Sequence, residues 1–472
     1  MGTHHDWFAQ RAWSVSANRI LVPQHGATSG VTTRAATIEQ PRSADEIAAI
    51  VRALPPTTPI ACVSGGHESS NAALVADDGA VILDLVHLKG IAFDRIGEDA
   101  VVTVGSGVVF RELVEAVHVH GGALPVGTGP GVGVVGYVVN GGLSSYFSRR
   151  LGLLGQRVLR MTVVTAAGEI RVLTPGDPLF TAMLGAGSAL AIVVDITLRL
   201  APADAIAAAE QRVFGYATRA EAVRYARAAT RYLRDRVLPD PSVSLEVVVT
   251  GGGAIVATAI MYDTFAGDAS AFVSPLETLA AEIGLPTLAS ARWSTWYEAA
   301  AALWPVIAGQ TGSPLAYLCH CVGTEAAPSD AVVDYVCDTI VGEAPLDAAP
   351  LSIIEIRSLG GAILDGPEIP TGNRHHGFFV DLVTLYDAAG QDAAARRAIV
   401  DRTNDVIARA HAIPGLAVDF SGTHTQPDDV ARRVSAARIL GTAAMAEQVR
   451  TLKAAVDPHD RFRFHPFARL EP

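Results

Sequence analysis

The stretch LPVGTGPGVGVVGYVVNGGLSS at 124–145 constrains this chain more than any other, because it carries seven glycines between Gly127 and Gly142. Backbone without side chains either approaches another group closely or takes positive φ angles. Successive exposed N–H groups in such a segment form a concavity suited to anions, a pyrophosphate above all. Gly131-Val-Gly133-Val-Val-Gly136 satisfies the pattern G-x-G-x-x-G. A Rossmann unit needs in addition a strand leading in, a helix opening out and an acidic residue about twenty positions on. Here no clear strand precedes the glycines, no helix is evidently opened by them, and the later position holds Gln156. Ligand contact is expected on this stretch, in a different fold.

At 472 residues the chain exceeds one ordinary core, and two domains are expected. Half of the residues are apolar and 18% are charged, with Gly and Pro dispersed, which is the profile of a globular enzyme. A net charge of −12 argues against a nucleic-acid partner, because phosphate binding needs a clustered excess of Lys and Arg that no segment here supplies. Cys62, Cys319, Cys321 and Cys337 form neither a disulfide framework nor the paired C-x-x-C of a zinc site. They are expected as buried free thiols, Cys319 and Cys321 on one face of a strand. His375 and His376 are adjacent and would point opposite ways on a strand, so no metal is expected there. The first residues, MGTHHDWFAQRAW, lack the basic-then-apolar order of a secretory signal, and runs such as VVTGGGAIVATAIM (247–260) are short and glycine-broken. The expected address is therefore the cytoplasm, with no membrane partner.

Residues 43–54 read as an amphipathic helix capped by Ser43, with Glu46 completing a capping box. Strands follow at PIACVSGG, AVILDLVHL and AVVTVGSG, then a helix at about 110–120, two strands in RVLRMTVVTAAGEIRVL, and a helix, turn and strand in LFTAMLGAGSALAIVVDITLRLAP. Composition changes near 201. From there to about 414, long helices alternate with the strong strands VSLEVVVT, AIVATAIMYD, PLAYLCHCVG, LSIIEIRS and FFVDLVTLY, which fits an α+β sheet covered by helices on one face. AEQVRTLKAAVDPHDRFRF reads as a helix ended at Asp457-Pro458.

VSGGHESSNAA, GTGPGVGVVGYVVNGGLSSYFSRRLGL, VVTAAGEI, LGAGSALAIVVDITLRL and LKAAVDPHDRFRF occur in this order. Together they resemble the berberine-bridge-enzyme-like FAD-linked oxidases of the vanillyl-alcohol oxidase superfamily. The resemblance implies an α+β fold: a two-subdomain PCMH-type FAD-binding domain (1–200), a substrate domain with an antiparallel sheet covered by helices (201–414), and a C-terminal segment (415–472) returning to the first. It implies FAD contacts at Ser64, Gly65, Gly66, His67, Glu68, Ser69, Gly127, Thr128, Gly129, Gly131, Val132, Gly133, Gly136 and Tyr137, with Gly141, Gly142, Ile192 and Val193 lining the rest of the cofactor. It further implies covalent attachment of the flavin 8α-methyl carbon to a neutral His67 imidazole. Relatives often add a cysteinyl bond in a G-T-C-P-like run; Gly129 stands there, so His67 is expected to make the single link.

Oxidation by a flavin needs a base for the accompanying proton. Asp381, in the apolar strand FFVDLVTLY, is a buried carboxylate that needs a partner or a purpose. It is the candidate base, with Arg374 as the alternative structural partner. Glu355 and Arg357 share one strand face and would bind a polar substrate or each other. Tyr146, beside the NGG turn, would donate a hydrogen bond or pack as an aromatic. Relatives usually carry Asn-Tyr where Asp419-Phe420 stands here, and phenylalanine cannot take a proton. The expected function is an oxidase that passes hydride from a small organic substrate to FAD and then to O2, as monomer or homodimer. A dehydrogenase, an oxygenating or cyclising enzyme of secondary metabolism, and a non-catalytic flavin or small-molecule binder are the alternatives.

Overall fold

The structure is a computed structural model, and it describes residues 10–11, 15–16, 35–67, 79–206, 208–262, 275–302, 304, 315–387, 390–419 and 435–465. Three sheets organise it. The first is a parallel set in the order Thr37–Glu39, Val81–Asp84, Ile60–Val63. Its central strand, VILD, is buried throughout, as expected where neighbours and a helix close every side. That helix is Ala44–Ala53, which buries Ile47, Ala48 and Val51 against the sheet. Ser43 Oγ accepts from the Glu46 amide at 3.2 Å, but the Glu46 carboxylate accepts from the Arg42 amide at 2.8 Å, one residue before the cap. The expected box is thus shifted by one residue.

A five-stranded antiparallel sheet follows, in the order Ile91–Ile96, Asp99–Gly105, Ile192–Arg199, Val158–Val164, Ile170–Leu173. Helices Phe110–Val119 and Pro178–Ala186 pack with it, their apolar side chains joining one core with Val102, Val104, Met161 and Ile196. The glycine stretch does open a helix, contrary to expectation. Gly133 bridges to Val109 and precedes the five-residue helix Val134–Val138. Five residues of apolar sequence interrupted by Gly136 carry too little helical periodicity to be read in advance.

The largest sheet runs Val15–Ser16, Leu315–Thr324, Phe378–Asp387, Ile353–Ser358, Val243–Thr250, Ala254–Met261, Ala208–Gly215, Thr287–Trp293, with Ala417–Val418 beside Leu315–Thr324. Pairing is antiparallel except at Val15–Ser16. One face carries the helices Arg219–Tyr232, Pro275–Ile283 and Ala393–Ala408. The opposite face meets the N-terminal half, where Ile260, Cys321 and Phe379 share a core with Val134, Tyr146 and Phe147. The five strong strands read from sequence all occur. Ala208–Gly215 and Thr287–Trp293 were not legible: the first is not rich in β-branched residues, and the second lies exposed at the sheet edge with no apolar face.

The C-terminal helix Ala443–Val456 stops at Asp457, as read. Beyond it, Arg461 donates to the carbonyls of Ala166 (2.6 Å), Val51 (3.2 Å) and Thr58 (3.3 Å), and Phe462 enters the core around Ile47 and Val81. Residues 461–462 are thereby held against the first sheet and its helix. Among the described residues no helix is long and apolar enough to cross a membrane.

Candidate active site

A cavity of about 440 Å3 lies between the glycine loops and the large sheet. That volume is typical of a small-molecule site.

One wall is backbone. Ser64, Gly65 and Gly66 follow strand Ile60–Val63, and they press against residues 131–133 so tightly that a Cβ at Gly65 would overlap the Gly133 nitrogen. A Cβ at Gly133 would in turn overlap Ser64 Oγ. Ser64 Oγ donates to the Ser106 carbonyl at 2.6 Å, and Ser106 Oγ donates to the Val193 carbonyl at 2.6 Å, fixing the loop to the five-stranded sheet. The carbonyls of Pro130 and Val132 accept from the amides of Arg111 and Phe110, both at 3.0 Å, at the start of helix Phe110–Val119. Part of the glycine content therefore serves loop-on-loop packing and not ligand contact. His67 sits over Gly131, where a Cβ would come within 3.1 Å of Nε2. Burial, with the Arg11 guanidinium adding to it, lowers the His67 imidazole to about 4, so it is neutral at physiological pH. Elsewhere on the same cavity, His465 Nε2 lies 3.2 Å from Asn140 Oδ1. Burial and then Lys453 hold this second imidazole at about 4.

The other wall is charged. On the large sheet Glu355 stands directly opposite Asp381, and Arg357 directly opposite Glu246. Two acids facing each other across strands repel unless a cation intervenes. Arg357 supplies it: Nε donates to Glu246 Oε1 at 2.7 Å, Nη2 to Glu355 Oε2 at 2.5 Å, and Nη1 to Asp381 Oδ2. The guanidinium also lies 5.6 Å from the Phe379 ring centroid. Burial opposes its charge, but Glu355, Asp381 and Glu246 outweigh that and hold it above the ordinary arginine range. Tyr317 borders the cavity on the same face, its hydroxyl pushed well up by burial and then by Cys319, Asp381 and Glu355.

Of the cofactor residues expected from sequence, Ser64, Gly65, Gly66, His67, Gly127, Thr128 and Gly129 border the cavity, as do Val132, Gly133, Gly136, Tyr137, Gly142 and Val193. Gly131 and Gly141 lie behind this lining, Gly141 with φ +94° packed on Thr371, while Ile192 belongs to the core behind the strand. Glu68, Ser69 and Phe420 lie outside the described residues. Among the catalytic candidates Glu355 and Arg357 border the cavity; Asp381 and Tyr146 do not. The expected partnership of Asp381 with Arg374 is replaced by Arg357, because Arg374 Nη1 instead donates to the carbonyls of Gly366 (2.9 Å) and Pro367 (2.8 Å). Tyr146 is a strut: its carbonyl accepts from Ser244 Oγ at 3.0 Å and Tyr262 Oη at 2.5 Å, and its hydroxyl bonds the Thr258 side chain. Cys319, Cys321 and Cys337 are buried free thiols, whereas Cys62 is only half-buried and borders the cavity.

Sequence reasoning missed Glu246, Tyr317, Asn373 and His465. Glu246 in VSLEVVVT had the same signal as Asp381, a carboxylate in an apolar strand. Tyr317 had a weaker one, sharing a strand face with Cys319.

The residues fit a flavin dinucleotide. The Gly129 and Gly133 amides donate to no group among the described residues, Tyr137 Oη and Asn373 Oδ1 are buried at the cavity without partners, and His67 is neutral. Comparison with known proteins agrees: residues 35–174 match the family described as FAD binding domain. A tetrahydroberberine oxidase of Berberis wilsoniae is 34% identical over 143 residues, which is 29% of this chain and 26% of that protein. An alditol oxidase of a Streptomyces strain is 33% identical over 175 residues, 37% of this chain and 40% of that protein. The matched regions thus span about a quarter to two fifths of these relatives. A solved variant of berberine bridge enzyme, described as a reticuline dehydrogenase, shares the fold with TM-score 0.75 at 18% identity, over 92% of this chain and 89% of that one. The resemblance read from the ordered motifs is borne out, and the fold is that of the PCMH-type FAD oxidases.

Proposed function

We propose that this chain is a flavin-dependent oxidase that holds FAD through one covalent bond from His67, oxidises a small organic substrate and delivers the electrons to O2. The observation that carries this reading is a single cavity bordered on one side by the glycine loops and His67 and on the other by Glu355 and Arg357. When bound, the flavin supplies a two-electron acceptor for hydride. The chain's own residues do the rest. Amides along Gly127–Gly136 hold the pyrophosphate, because backbone N–H groups reach it without side-chain interference. Neutral His67 would hold the flavin at its 8α-methyl carbon, and Gly129 offers no thiol for a second bond. Glu355, 17% exposed against 0% for Asp381, is the carboxylate within reach of a substrate and accepts its O–H or N–H proton. Asp381 and Glu246 hold Arg357 in position, so the base role expected of Asp381 passes to its cross-strand neighbour. We assign 1–200 to the FAD-binding domain, 201–414 to the substrate domain and 415–472 to the returning segment, in a cytoplasmic enzyme of secondary metabolism.

The test is acid precipitation of purified protein with absorbance spectra of pellet and supernatant. Yellow colour stays with the wild-type pellet and leaves it in His67→Ala. Folded protein that is colourless and takes up no FAD refutes the reading.

A further inference from the structure

The loop that carries His67 is tied down by a side chain from far earlier in the sequence. Strands Ile60–Val63 and Val81–Asp84 are parallel neighbours with Val63 beside Asp84, so both chains leave the sheet at the same edge of the cavity. Asp84 ends its strand fully buried, where a carboxylate needs hydrogen bonds and a cation. Its Oδ2 accepts from Gln40 Nε2 at 3.0 Å, and its Oδ1 from the Val86 amide at 3.3 Å. Arg11 brings the cation, with Nη2 3.0 Å from Asp84 Oδ1. The same Nη2 donates to the Ser64 carbonyl, at the first residue beyond strand Ile60–Val63. Only Gly65 and Gly66 then separate Ser64 from His67, and glycine leaves the backbone wide conformational freedom. One guanidinium therefore straps the base of this pliant loop to a fixed carboxylate. Its charge also reaches the imidazole: after burial, Arg11 is the next influence that keeps His67 unprotonated. Arg11 itself does not border the cavity, so its effect on a ligand passes through the loop.

We propose that Arg11 is a positioning residue for flavin attachment, strapping the Ser64 carbonyl to Asp84 so that His67 is held where a flavin in the cavity meets it. This rests on the covalent-FAD reading above. The bond to His67 replaces one imidazole N–H and one C–H of the 8α-methyl group, and the two protons and two electrons released leave on O2 as H2O2. Arg11 takes no part in that exchange. It fixes one reactant, and misplacing a reacting group by about 1 Å costs up to roughly a hundredfold in rate.

The experiment uses protein produced in riboflavin-starved cells and then mixed with FAD in air. Total flavin bound, and flavin retained by the pellet after acid precipitation, are followed with time. Arg11→Met is expected to bind FAD yet to attach it roughly tenfold or more slowly. Arg11→Gln keeps N–H donors without the charge, guards against a folding defect, and is slowed as well. Arg11→Lys, with a charge and a donor on one nitrogen, stays within about threefold of wild type. An ion pair that only stabilised the first sheet would shift the melting temperature and leave the attachment rate of the folded fraction alone. Attachment at the wild-type rate in whichever of Arg11→Met and Arg11→Gln folds, equal slowing in Arg11→Lys and Arg11→Met, or failure of both Arg11→Met and Arg11→Gln to fold overturns the proposal and leaves the covalent reading standing. A wild type that binds FAD and never attaches it overturns the covalent reading, and this proposal with it.

Discussion

The two walls of the cavity are built by opposite means. The glycine wall works through side chains that are missing, so that two loops can lie backbone on backbone and still present amides to a ligand. The sheet wall works through four charged side chains that only strand register brings together, Glu246 and Arg357 on one cross-strand pair and Glu355 and Asp381 on the next. The first tolerates no added atom, and the second no lost charge.

The sharpest way to break that contrast is to remove the cation. Arg357→Met leaves three carboxylates facing one another and is expected to destabilise the protein by about 3–5 kcal/mol, the cost of stripping one partner from a buried ion pair. Denaturant unfolding checks it, and a loss below about 1 kcal/mol would mean that the ion pairs of this cluster contribute little to stability. On the opposite wall one methyl is enough. Gly133→Ala drives a Cβ into Ser64 Oγ and the Gly65 backbone, and is expected to cost about 1–3 kcal/mol together with most of the bound flavin. Flavin absorbance per protein reads this directly, and full flavin content would show that the loops part easily.

The smallest effect concerns protons. His465 is held at about 4 in the folded protein against an ordinary 6.5, so the unfolded chain takes a proton that the folded one refuses. The stabilisation is complete above about pH 6.5 and is lost as pH falls towards 4. Between pH 6.5 and 5.5 the flavin-free protein should lose about 1 kcal/mol more than His465→Asn does. Parallel pH profiles would show that this imidazole titrates freely.

Legibility in the sequence followed the same division. The glycine stretch, His67 and the absent thiol at Gly129 are local facts, and most of the residues they implicated do border the cavity. Asp381 stood out because a carboxylate in an apolar strand is costly without a partner, and Glu355 because it shares a strand face with Arg357. Which cation answered Asp381 was not legible: Arg374 is nearer to it in sequence, yet it is bound to the carbonyls of the 363–367 turn. Tyr146 adjoins the glycines in the chain but faces Ser244, Thr258 and Tyr262 of the large sheet.

The sequence by itself determined the glycine-built wall of the cavity, since leaving out Cβ atoms acts at the position where it is written. Tertiary structure alone decided the chemistry of the opposite wall. An antiparallel register couples residues more than a hundred positions apart, Glu246 to Arg357, and a shift of strand Ile353–Ser358 by one residue would turn Glu355 and Arg357 to the helix-covered face.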